Sequence, residues 1–256
     1  MLKLGVCIGA DENKVKVLKD LGYDYFEVHT GELCALSQND YDLFSESVKK
    51  IGLPCECANC FIPSNLKIVG DNIDYPALED YVQIAFSRLN ELGVSVVVFG
   101  SSGARKPPEG FATEKAFEQV VLFLSKIIAP LAKNYGLLIA IEPLNKKECS
   151  WINNLSFSKR IAEAVDEDCI KLLADLYHME EEGDQVDGLA QYKGKIVHAH
   201  VARPGIRTCP LPNDKYDYLP FLKELETIGC ERCSIEARFN NFEAEAETAL
   251  LFLSIH

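Results

Sequence analysis

Residues 137–145 read LLIAIEPLN. Leu137 to Ile141 is an apolar run of strand length, and it ends abruptly in Glu142. Pro143 carries no amide hydrogen and stops further sheet pairing. The carboxylate therefore stands at the exit of a strand, where α/β proteins keep their chemistry. The same pattern recurs downstream. IKLLAD (170–175) ends in Asp175, IVHAH (196–200) in His200 and CSIE (233–236) in Glu236.

Working outward, strand candidates recur along the whole chain, each followed by a helical pattern. The strands are expected at Lys3–Ile8, Tyr25–Val28, Leu53–Ala58, Val94–Phe99, Leu137–Ile141, Ile170–Ala174, Ile196–Val201 and Cys233–Ile235. Helices are expected at Asn13–Leu21, Tyr41–Ile51, Tyr75–Leu92, Thr113–Tyr135, Leu155–Val165, Gln185–Tyr192, Tyr218–Ile228 and Phe242–Ile255. Gly22, Gly52, Gly93, Gly136, Gly194 and Gly229 each separate a helical pattern from the next apolar run, as helix-ending glycines do. Several strands are continuously apolar, which suits a parallel sheet covered on both faces. Eight strands alternating with eight helices predict a closed (β/α)8 TIM barrel, one domain over residues 1–256. The sequence CIGAD after the first strand lacks the three-glycine dinucleotide fingerprint, so a nicotinamide cofactor is not expected.

Composition narrows the function. The chain has 256 residues, 48% of them hydrophobic, with a formal charge of −13. That charge disfavours nucleic acid or an anionic membrane as partner. No stretch approaches the about 18 apolar residues that span a bilayer, and the N-terminus does not read as a signal peptide. A cytoplasmic protein, alone or as a homo-oligomer, is expected. Two CxxC pairs, Cys57/Cys60 and Cys230/Cys233, would lie at opposite ends of a parallel barrel. They read as packing cysteines rather than one zinc site.

Any one carboxylate at a strand end is ordinarily just the first loop residue. Four such ends on the fifth to eighth strands are a different matter, because three crowded carboxylates repel unless a cation neutralises them. Glu142, Asp175, His200 and Glu236 are therefore read as ligands of one divalent metal. The hard N/O set suits Mn2+ first, with Mg2+, Co2+ and Zn2+ also compatible. Such a site can polarise a carbonyl while a carboxylate removes the neighbouring proton. If Glu236 faces the mouth, alternation along the strand carries Arg238 there too, and His198 shares a face with His200. His198 reads as a packed, hydrogen-bonded interior residue. Asn59 could reach the mouth. The loop Gly100-Ser101-Ser102-Gly103, with Arg105 and Lys106 beside it, hints at an anion site. Trp151 reads as cover or packing.

The motifs IEPLNKKE, ADLYHM, HAHVA and SIEAR resemble the xylose-isomerase-like TIM-barrel superfamily, nearest its D-tagatose 3-epimerase and sugar phosphate isomerase/epimerase branch. The resemblance implies a metal-dependent sugar isomerase or epimerase working through an enediolate. Glu142 and Glu236 would act as acid and base, and the substrate would be a small sugar. It further implies substrate contacts from Glu148, six residues after the first ligand, and from His178, three after the aspartate. An arginine in the loop ARPGIRTCPLPND would hold a sugar oxygen, with Arg207 the first match and Arg203 the second. That loop departs from the family's usual Asx-Arg step. Other readings on the same scaffold are an inosose-dehydratase-like or hydroxypyruvate-isomerase-like enzyme, an endonuclease-IV-like nuclease, and a sugar-binding barrel without turnover. The nuclease needs more histidines than the five present.

Overall fold

The computed structural model describes residues 2–254. Eight strands form one closed, all-parallel barrel in sequence order. They are β1 (Lys3–Ile8), β2 (Tyr25–His29), β3 (Cys55–Asn59), β4 (Val96–Phe99), β5 (Leu138–Ile141), β6 (Ile170–Asp175), β7 (Ile196–Val201) and β8 (Arg232–Ile235). Closure comes from β1 against β8, where Gly5 pairs with Ser234. The expected barrel is thus the observed one, with strand ends shifted by one or two residues.

The outer ring holds α1 (Glu12–Leu21), α2 (Thr30–Ala35), α3 (Gln38–Ile51), α4 (Tyr75–Leu92), α5 (Ser102–Arg105) and α6 (Thr113–Phe123) in its first half. It continues with α7 (Ala129–Tyr135), α8 (Leu155–Val165), α9 (Leu176–Glu182), α10 (Leu219–Ile228) and α11 (Phe242–Leu253). Four differences from the sequence reading stand out. The helix read as Thr113–Tyr135 contains a π-helical segment at Leu124–Ile128, just ahead of Pro130, whose ring nitrogen cannot donate to the preceding turn. Residues Val186–Tyr192 form a 3-10 helix rather than an α-helix. The short helices α2 and α9 were not expected; each follows its strand directly and is capped by that strand's last residue, His29 and Asp175. The expected helix end at Ile255 lies outside the described residues. Among the described residues, no helix is long and apolar enough to cross a membrane.

The outward faces of the strands and the inner faces of the helices make one large apolar core. Inside the barrel a second, small cluster of Tyr25, Cys57, Val96, Val98, Ala140 and Leu173 plugs the middle. Tyr25 crosses the barrel so closely that a Cβ at Gly5 would lie 2.4 Å from its ring, and only glycine fits there. Below this plug Glu56 ties β3 to both closing strands, through Lys3 Nζ at 2.6 Å and Arg232 Nε at 2.5 Å. The apolar plug thus separates this ion-paired seam at the N-terminal end from the polar side chains at the C-terminal end.

Candidate metal centre and substrate cavity

Side chains alternate along a strand, and the inward positions nearest the C-terminal ends are Cys7, Glu27, Asn59, Glu142, Asp175, His200 and Glu236. Glu142, Asp175, His200 and Glu236 each bring a ligand atom within 4.8 Å of the others. His200 Nδ1 lies 3.3 Å from Glu142 Oε1, 3.3 Å from Glu236 Oε2 and 3.8 Å from Asp175 Oδ2. Asp175 also caps α9, its Oδ1 accepting from the His178 amide at 3.1 Å, which turns Oδ2 toward the cage. Glycine at position 100 gives Glu142 its room, since a Cβ there would stand 2.1 Å from Glu142 Oε2.

The donor set fits a divalent cation. Three carboxylates and one imidazole are hard ligands held at close range, with Glu142, Asp175 and His200 buried and Glu236 facing the mouth. His178 adds to the case. Its Nδ1 accepts from the Asn145 amide at 3.1 Å, so the proton sits on Nε2. That buried Nε2 has no hydrogen-bond partner among the described residues, and lies 4.0 Å from Glu142 Oε1 and 3.9 Å from Asp175 Oδ2. A donor left free at the edge of a carboxylate cage is one that a bound hydroxyl can satisfy.

Electrostatics pull the two glutamates apart. Burial pushes the Glu142 carboxyl above its ordinary value; the adjacent His200 ring opposes this and nearby Glu236 reinforces it. Burial acts on Glu236 in the same sense, but His200 and Arg207 overcome it and bring the group down to about 2. His200 is held well above the usual histidine range, because Glu27 and Glu236 outweigh the effect of burial. Glu27 lies well below the carboxylate range, since the two imidazoles beside it outweigh its own burial.

Arg207 reaches the cage from the loop after β7. Its Nη1 donates to Glu148 Oε1 at 2.7 Å and its Nη2 to Glu236 Oε2 at 2.5 Å. The residue has φ 51°, and its backbone is pinned on both sides, to the Arg203 carbonyl and to the Arg238 amide. That left-handed turn aims the guanidinium back over the barrel and against the Tyr177 ring. Arg203, the second match, pairs instead with Asp214 at 3.1 Å. Asn59 donates to Glu236 Oε1 at 3.0 Å. Above the cage, a cavity of 340 Å³ is lined by Ser64, Ser102, Glu142, Glu148, Arg207 and Glu236 among others. A neighbouring one of 350 Å³ shares Glu236, His29 and Cys60 and opens toward Phe239 and Phe242.

Two sequence expectations are corrected. Arg238 does not face the mouth: β8 ends at Ile235, alternation ends with it, and the exposed Arg238 holds the Ile206 carbonyl. Arg105 does not serve an anion site. Fully buried, it donates to the Phe99 carbonyl at 2.9 Å and the Glu142 carbonyl at 2.8 Å, capping the ends of β4 and β5. Trp151 is buried and donates to the Arg105 carbonyl at 2.8 Å, which is a packing role. His198 is an interior residue, as read. Cys57 is buried in the plug and Cys60 is exposed at the mouth, whereas Cys230 bonds the Arg232 carbonyl at the other end. Sequence reading passed over Glu27, a carboxylate with no exposure that contacts both His198 and His200. Its signal was there: an acid in the middle of YFEVH, a strand otherwise built for burial.

Comparison with known proteins places the chain. The sequence matches the family described as Xylose isomerase-like TIM barrel over residues 15–254. The chain belongs to that family. Within this xylose isomerase-like group, it is 26% identical to a 3-dehydro-D-guloside 4-epimerase of Escherichia coli (strain K12) over 199 residues, 74% of this chain and 72% of that one. A crystal structure of D-psicose 3-epimerase with D-tagatose from Clostridium cellulolyticum H10 superposes with a TM-score of 0.85 at 17% identity, over 98% of each chain. The IolI protein, crystallised with a zinc atom, superposes with a TM-score of 0.74 at 21% identity, over 98% of this chain and 96% of that one. The two superposed structures share the closed barrel described above.

Proposed function

We propose that this chain is a divalent-cation-dependent isomerase or epimerase of keto-sugars. The observation that carries the reading is the placement of Glu142 and Glu236. They stand just past the ends of β5 and β8, both 3.3 Å from one imidazole nitrogen, and both line the same cavity. Glu142, Asp175, His200 and Glu236 would hold the ion, Mn2+ being the best match to three hard carboxylates. A bound ion would supply the electrophile for a substrate carbonyl and would offset the charge left when the adjacent carbon loses its proton.

The chain's own residues do the rest. One glutamate takes the proton and the other returns it, either to the opposite face of the same carbon or to the next carbon. The first outcome is epimerisation, and the second exchanges aldose and ketose. Glu148 accepts from a sugar hydroxyl, Arg207 donates to a sugar oxygen, and the free Nε2–H of His178 donates to another. The mouth holds more carboxylates than cations, which favours a neutral, hydroxyl-rich substrate over a phosphorylated one. The epimerase relative in E. coli and the zinc atom in the IolI structure support this reading.

The test is solvent isotope exchange. The Mn2+-loaded protein is incubated in D2O with ketohexoses, 3-keto-glycosides and hydroxypyruvate. Deuterium is expected at the carbon beside the carbonyl, in either the product or recovered substrate. Its position separates epimerisation from aldose–ketose exchange, and a product lighter by one water would reveal a dehydratase. Absence of exchange with every substrate would overturn the proposal.

A further inference from the structure

Glu27 has no place in the chemistry above, yet it lies wholly buried on β2 beneath the cage. A carboxylate in a barrel interior is costly unless its oxygens are fully used. Here both are used. Oε1 lies 3.0 Å from His200 Nε2, and Oε2 lies 2.7 Å from His198 Nε2. A carboxylate only accepts, so both Nε2 atoms carry hydrogen. His198 is then left with a lone pair on Nδ1, where the Cys57 thiol sits 3.7 Å away as donor. His200 is left with Nδ1 facing Glu142, Asp175 and Glu236. The other neighbour of His200 Nε2 is the Cys7 thiol at 3.9 Å, longer and uncharged, so the carboxylate decides where the proton stays. The two rings stand 87° apart with centroids separated by 5.0 Å, each fixed in its own plane by its own oxygen.

We infer that Glu27 is a positioning residue for the cation centre. It keeps the His200 proton on Nε2 and the ring in plane, so that Nδ1 faces the three carboxylates as a ready lone-pair donor. This rests on the reading of the cage as a cation site. A carboxylate behind a ligating imidazole does two things: it selects the nitrogen that can ligate and makes that nitrogen a stronger donor. His198, with Cys57 on its other nitrogen, occupies the second oxygen of Glu27 from the far side.

The test compares Mn2+ binding by calorimetry in the wild type, Glu27→Gln and Asp175→Asn. Glu27→Gln keeps the size of the side chain but offers one acceptor where two are needed. It is expected to fold and to bind Mn2+ about 10- to 100-fold more weakly. A folded Glu27→Gln chain with wild-type affinity would overturn the assignment and leave the cation centre standing, with Asp175→Asn still weakened. A wild type that binds no divalent ion would overturn both. The second readout is NMR of the Zn2+-loaded, 15N-histidine-labelled wild type, with His200 assigned from the His200→Gln spectrum. A slowly exchanging, downfield His200 Nε2–H is expected, and it should shift upfield or vanish in Glu27→Gln. If Glu27→Gln fails to fold, the wild-type spectrum decides: a His200 without that protected Nε2–H refutes the role.

Discussion

Replacing Glu236 by glutamine removes one charge and changes almost nothing in shape. In the wild type the carboxylate accepts from Arg207 at 2.5 Å and from Asn59 at 3.0 Å. The amide has one acceptor and one donor. Its oxygen can keep Arg207, and its NH2 can meet Asn59 once that side chain turns over. Asn59 can turn because its Oδ1 is buried and has no partner to lose. The cost is a charge-assisted hydrogen bond becoming a neutral one, about 1 kcal/mol. For a chain of this size that lowers Tm by about 2–4 °C. Activity should behave differently. Loss of a proton-transferring group costs about 100- to 10,000-fold, or about 2.7–5.4 kcal/mol of barrier. Deuterium exchange and turnover on the same Mn2+-loaded sample, beside a thermal melt, would read both quantities. A stable Glu236→Gln chain with near-normal exchange would refute the assignment of Glu236 as acid or base.

Two further outcomes follow from contacts away from the acid–base pair. Gly100→Ala places a methyl group 2.1 Å from the present position of Glu142 Oε2. The carboxylate must move while the backbone need not, so Tm should hold and turnover fall about 100-fold, the usual cost of a misplacement near 1 Å; an unchanged kcat would show that Glu142 tolerates displacement. The second concerns pH. Burial raises the Glu56 carboxyl, but hydrogen bonds from Lys3 and Arg232 outweigh it, and the folded-state value lies below the ordinary one. A depressed folded value means stabilisation that is present above the unfolded pKa of about 4.3 and lost as pH falls through the folded value. Glu56→Gln should therefore melt lower than wild type at pH 7, by about 1–2 kcal/mol given the partial exposure of the pairs. The gap should close as pH falls below about 4; a gap that does not change with pH would show that the ion pairs at the barrel's closing seam contribute nothing.

Much of the candidate site was legible in the sequence because its residues end strands. An apolar run stopping at Glu142, Asp175, His200 or Glu236 needs no coordinates to be read, and parallel strands in sequence order must deliver those ends to one rim. Within the mouth loops legibility dropped. Arg203 and Arg207 are both plausible in ARPGIRTCPLPND, and only the left-handed turn at Arg207, pinned to Arg203 and Arg238, selects one. Arg238 was misplaced because alternation was carried past Ile235, where the strand stops.

The sequence by itself determined the barrel, its order and its chemistry-bearing rim, since the period of apolar residues and the helix-ending glycines are local properties that survive without neighbours. The tertiary structure alone decided what lies beneath the rim. Alternation along β2 turns Glu27 inward with Tyr25, but its neighbours in the chain do not say which side chains it meets there. Its contacts with His198 and His200 span 171 and 173 residues of sequence. Such pairs exist only once eight strands have closed, because curvature and stagger of the barrel, and not the spacing of residues, set which inward side chains meet.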